Sequence, residues 1–168
     1  MNKNFNFLFG LVIVLASLAL TGCNKSCQFS TPEAQDVKQE QENVAGSPED
    51  FKATNSTKIY FDFDKSTLTP SGKNKAKTQA AWLKTYPNTT ATIAGHTDER
   101  GTAEYNMALG ARRAESTKSV LVEEGVDANR LTTISYGKDR PEAVVDPSNP
   151  VAADAAHAQN RRTETTIN

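Results

Sequence analysis

Between residues 95 and 116 the chain reads GHTDERGTAEYNMALGARRAES. Two carboxylates, Asp98 and Glu99, stand beside the guanidinium of Arg100. Asn106, Leu109 and Arg113 then follow at spacings of three and four residues. On a helix that spacing puts the last three on one face, pointing back toward the preceding corner. Arg112 is turned from them by about 100°. Charges of both signs aimed at one spot describe a pocket for something zwitterionic. A solvated corner capped by an Asp98–Arg113 ion pair accounts for the same residues equally well on spacing alone, since surface ion pairs are common and weak.

Other chemistries fit less well. His96 and His157 are the only histidines and both cysteines, Cys23 and Cys27, lie near the N-terminus. No serine occupies a nucleophile elbow, so no catalytic residues are assigned. His96, Asp98 and Glu99 match no familiar metal-site spacing, and no metal is assigned. The expected role of His96 is structural, through hydrogen bonds to backbone. A net charge of −1 gives no basic excess for nucleic acid.

The elements that must position this corner can be read from periodicity. KIYFDFD alternates Ile59, Phe61 and Phe63 against Tyr60, Asp62 and Asp64, which predicts a half-buried strand whose end reaches the corner. Thr69-Pro70 is an N-cap followed by proline at the first helical position. Gly72, Ala76, Ala80 and Leu83 form the stripe of a helix ending near Tyr86-Pro87. That helix is basic, with Lys73, Lys75, Lys77 and the single Trp82. TTATIAG is a second strand. A helix from Thr102 to about Glu124 follows, with the small-residue stripe Met107, Gly110, Ala114, Thr117 and Leu121 and a stop at Gly125. RLTTISYG and RRTETTIN predict a third and a fourth strand. Pro141, Pro147 and Pro150 mark a loop between them, and AADAAHAQN a short helix. The result is an α/β sandwich (α+β), with helices on one face of a sheet whose strand order does not follow from the pattern.

Residues 1–22 are a separate unit: Lys3, then an apolar run ending in Leu20-Thr21-Gly22-Cys23. This describes a secretory signal peptide, too short for a comfortable permanent span. The ending resembles a lipobox, which implies cleavage before Cys23 and an S-diacylglycerol and an N-acyl chain on that residue. No other cofactor is expected. Each buried methylene contributes roughly 0.8 kcal/mol, so several chains would anchor a domain stably. Residues 23–50 form the lipidated start and a polar tether, too poor in apolar residues to offset ordering entropy. Residues 51–168 are the folded domain. Asn24, next to the lipid position, points to the outer membrane.

IAGHTDERGTAEYNMALGARRA, YFDFDKSTL, SYGKDRP and the terminal NRR together closely resemble the OmpA-like peptidoglycan-binding domains. Within that group they resemble the peptidoglycan-associated lipoproteins of Gram-negative bacteria. The resemblance runs from about Lys58 to the C-terminus. It implies a βαβαβ-β domain with helices on a mixed four-stranded sheet, and noncovalent binding of the meso-diaminopimelate in the wall's stem peptide. Carried over residue by residue, Asp98 would meet the ligand's ammonium and Arg113 its carboxylate at the D-centre. Arg100, Tyr105, Asn106 and Leu109 would line the pocket, and Phe63 and Asp64 would close it. The implied partners are peptidoglycan, a TolB-type β-propeller and other Tol components, with the outer membrane reached through the lipid. An anchor unconnected with Tol and a cell-wall hydrolase are the alternatives. The loop over residues 142–160 looks longer than usual for the group, and His157 stands where an aromatic is customary.

Overall fold

The computed structural model describes residues 44–168. The signal peptide, Cys23, Cys27 and most of the tether lie outside the described residues. The elements run β1 (Lys58–Tyr60), β2 (Ala91–His96), β3 (Leu131–Gly137) and β4 (Arg162–Ile167), with helices α1 (Pro48–Thr54), α2 (Pro70–Thr85), α3 (Ala103–Glu123) and α4 (Pro150–Asn160). The strand order is β1-β4-β2-β3. β2 and β3 are parallel, and β4 runs antiparallel to both β1 and β2. The C-terminal strand is thus inserted between the first two, which is the mixed four-stranded sheet expected.

One sheet face carries the core. Ile59, Ala91, Ile93, Leu131 and Ile167 meet Ala76, Ala80 and Leu83 of α2 and Ala114 and Leu121 of α3 there. The buried threonines of β4 are satisfied within it: Thr163 Oγ1 bonds Thr117 Oγ1 at 3.1 Å, and Thr165 donates to Gln79 Oε1 at 3.0 Å. α3 lies unusually close to β2. A Cβ on Gly95 would stand 1.9 Å from the Gly110 carbonyl oxygen, so only glycine allows the contact. Met107, placed in the stripe by spacing, is exposed instead.

Two boundaries differ from the sequence reading. β1 stops at Tyr60, and the chain turns through Asp62, Phe63 and Asp64, with Asp64 in the left-handed region at φ 57°. The alternation therefore holds through buried Phe61, while Phe63 is 58% exposed and faces the site. The tether, expected to extend to residue 50, gives way earlier, because α1 begins at Pro48. Ser47 caps it by accepting from the Asp50 amide, with proline at the start and Glu49 and Asp50 in the first turn. Phe51 then packs edge-on to Trp82 at 5.0 Å, and Trp82 Nε1 donates to Asp50 at 3.0 Å.

Candidate ligand site

The corner is a cavity of about 230 Å³ at the C-terminal end of β2, between the β1–α2 turn and the first turns of α3. Phe63, Asp64, Asp98, Arg100, Tyr105, Asn106, Leu109 and Arg113 all line it. Thr102 caps α3 by accepting from the Tyr105 amide, which fixes the helix start against the corner. Gly101, at φ 93°, makes the turn into it. Asn106 is buried and donates its amide to the Arg100 carbonyl at 2.8 Å, tying helix to loop. Tyr105 OH donates to the Asp64 carboxylate across the rim, and that bond raises the phenol pKa. Arg112 stays outside, 5.8 Å from the Tyr105 ring.

The Asp98–Arg113 ion pair does not form. Asp98, 5% exposed, instead pairs through Oδ2 with Arg100 at 2.5 Å and Arg161 at 3.2 Å. Burial alone would raise its carboxyl pKa. The hydrogen bond and charge of Arg100, joined by Arg161, outweigh that and hold it below the ordinary carboxylate value. Arg113 is deeply buried and reaches the cavity only as part of its wall. Its Nε donates to the Lys65 carbonyl at 2.8 Å, Nη1 to the His96 carbonyl at 2.9 Å, and Nη2 to the Asp62 carbonyl at 3.2 Å. A guanidinium has five N–H groups, so one on each terminal nitrogen is left over. Burial pulls the Arg113 pKa down to about 10, which still leaves it charged at neutral pH.

The arrangement is a buried carboxylate and a buried guanidinium in one small cavity, each fixed by the surrounding chain. The more exposed charge is Arg100, whose side chain is 42% exposed and lies 4.2 Å over the Phe63 ring. Arg100 covers the Oδ2 edge of Asp98 from the solvent side of the cavity.

Sequence reasoning missed Arg161. It sits just after α4 and is held by Nε donating to the Phe61 carbonyl at 3.1 Å and Nη1 to Asp98. The NRR motif was visible, but without the strand order nothing placed β4 beside β2. His96 contributes its carbonyl to Arg113, while its imidazole points to the opposite sheet face. Among the described residues, no group of three or more His, Cys, Asp or Glu side chains is placed to hold a metal ion. No helix among them is long and apolar enough to cross a membrane.

Residues 60–161 match the model of the OmpA family. A peptidoglycan-associated lipoprotein of Brucella melitensis is 40% identical over 157 residues, covering 94% of this chain and 90% of its own. One from Agrobacterium fabrum is 39% identical over 158 residues, with 94% and 86% covered. The crystal structure of the peptidoglycan-associated lipoprotein of Burkholderia pseudomallei superposes with a TM-score of 0.63 at 34% identity. It covers 75% of this chain and 98% of that one.

Proposed function

The chain belongs to the OmpA family, in its branch of peptidoglycan-associated lipoproteins, and from that premise we propose that it binds peptidoglycan noncovalently and anchors the outer membrane to the wall. The ligand is the free D-centre of meso-diaminopimelate, whose ammonium goes to Asp98 and whose carboxylate goes to Arg113. The observation that carries this reading is the pairing, in one cavity, of a buried carboxylate held ionised with a buried guanidinium that keeps two N–H groups unspent. Such a pair recognises a zwitterion by charge and by the distance between its charges. Phe63, Tyr105 and Leu109 supply apolar walls for the carbon chain between them. On this reading the lipid on Cys23 holds the protein in the outer membrane, and residues 24–43 give it reach. Tol components, including a TolB-type β-propeller, are the proposed protein partners in envelope integrity and cell division. Copurification of that β-propeller separates this assignment from a wall anchor unconnected with Tol.

The test is titration calorimetry with matched stem peptides carrying meso-diaminopimelate, its D-centre amide, or lysine. Lysine lacks the far carboxylate, and the amide keeps the shape but loses the charge. A site built around a polar group rejects analogues that lack it. Because the cavity is partly open to water, roughly tenfold to a thousandfold discrimination is expected. Equal affinity for all three peptides would remove the assignment.

A further inference from the structure

A second cavity, of about 390 Å³, adjoins the first and is lined by Tyr60, Phe61, Asp62, Thr69, Ala158, Gln159 and Arg161. Arg161 is the one side chain common to both. Its Nε and Nη1 are committed to the Phe61 carbonyl and to Asp98. Those two bonds fix the guanidinium plane, and its side chain is only 14% exposed. Among the described residues Nη2 makes no hydrogen bond, so both of its N–H groups, with the second on Nη1, remain on a held cation at the junction of two cavities.

A ligand that ends at the first cavity leaves those N–H groups unused, although Arg161 still holds Asp98. The geometry suits one that continues past Arg161 and carries an anion at the crossing. The wall of the second cavity has the mixed character of a peptide site. Tyr60 presents a ring that is 39% exposed, Gln159 an amide, and Lys75 stands 5.5 Å from the Tyr60 ring, adding positive potential at the rim. The one acidic liner, Asp62, is offset by Lys65 at 3.2 Å. Resting on the wall-binding reading above, we propose that the second cavity receives the acidic residue chained to the diamino acid. The free carboxylate of that residue is met by Arg161 Nη2. The site then reads two residues rather than one, and Arg161 couples them, since the same guanidinium orients Asp98 for the ammonium.

The experiment compares three ligands by calorimetry on the full-length chain in detergent: free meso-diaminopimelate, the same molecule bearing γ-linked glutamate with its carboxylate free, and that dipeptide with the carboxylate amidated. The acidic dipeptide is expected to bind roughly three- to thirtyfold tighter than free diaminopimelate, the range being reduced for partial exposure. The amide should lose most of that gain. Ala158→Trp fills the second cavity from an exposed helix position. It should remove the gain and leave the affinity for free diaminopimelate within about twofold. A dipeptide that binds no better than free diaminopimelate overturns the inference, as does a gain that survives Ala158→Trp. Failure of free diaminopimelate to bind the unaltered chain would instead overturn the reading of the first cavity.

Discussion

Arg113→Ala should unfold the site rather than merely empty it. In the folded state Arg113 joins three segments that are distant in sequence: the turn after β1 through Asp62 and Lys65, the end of β2 through His96, and α3 on which it stands. Hydrogen bonds from a charged donor contribute roughly 1.5–3 kcal/mol each, so three contribute about 4–9 kcal/mol. Against this stands the cost of taking the guanidinium out of water. Its fall from 12.5 to about 10, in which burial is partly offset by the charges of Asp98 and Asp64, puts the net penalty at about 3 kcal/mol, at 1.36 kcal/mol per pH unit. The net loss on truncation is therefore about 1–6 kcal/mol, which at its upper end is a large share of a small domain's stability. Trp82 is the only tryptophan and is 8% exposed, so its fluorescence reports unfolding without a label. With a urea slope of about 1–2 kcal/mol per molar for a domain of this size, the midpoint should drop by at least about 0.5 M. Arg113→Lys should recover only part of the loss, because one ammonium cannot span three carbonyls set around a planar fork. A midpoint for Arg113→Ala within about 0.3 M of the parent would refute the reasoning and return Arg113 to a purely ligand-facing role.

Binding is better probed at Asp98. Asp98→Asn keeps the shape and removes the charge, and should weaken meso-diaminopimelate about ten- to a hundredfold by calorimetry, with Arg112→Ala within about twofold. Gly95→Ala should cost at least about 2 kcal/mol in the urea assay, since the new methyl meets the Gly110 carbonyl oxygen at 1.9 Å and backbone must move. At the N-terminus, Cys23→Ser should abolish incorporation of labelled palmitate; equal labelling would remove the lipoprotein assignment.

The ends of elements were legible where a single residue type decides them. Thr69-Pro70 and Thr102 cap α2 and α3 as their types demand, and Gly125 ends α3 at φ 96°. α1 carried equally clear signals in Ser47, Pro48, Glu49 and Asp50. It was lost because the composition around it reads as tether, and its stability comes from Phe51 on Trp82, a contact across 31 residues that no local pattern encodes. The candidate site was legible on α3 and in the turn before it, where spacing of three and four residues fixes which side chains share a face. Its pairing was not. Opposite charges on one face suggested Asp98 with Arg113, but Arg113 is buried so deeply that backbone carbonyls are its nearer acceptors. Asp98 turns instead to Arg100 and Arg161. Arg161 could be placed only once β4 was known to lie between β1 and β2. The NRR motif then divides its work by position. Asn160 closes the loop by accepting from the Glu142 and Ala143 amides, Arg161 faces the cavity, and Arg162 pairs with Glu142 at 2.9 Å on the opposite face.

That opposite face yields the last prediction, on pH. The His96 imidazole is 3% exposed, its Nδ1 has no hydrogen-bond partner, and Tyr136 lies 5.4 Å away. Burial first, and then the positive charge of Arg162, push its pKa from 6.5 down to about 4. The folded state therefore keeps the imidazole neutral where the unfolded chain already binds a proton. As pH falls from about 6.5 toward 4, the unfolded state is increasingly favoured, and below about 4 this group contributes no further change. The whole effect is about 3 kcal/mol at 1.36 kcal/mol per pH unit. Asp98, held below its ordinary value of 3.8, loses its contribution only at lower pH, so the two windows separate. The His96 carbonyl also holds Arg113, so the titrating residue and the candidate site share one strand end. Urea midpoints measured from pH 7 to 4 should fall steadily for the parent chain and much less for His96→Gln. Parallel slopes in the two proteins would mean that the imidazole is not the titrating group.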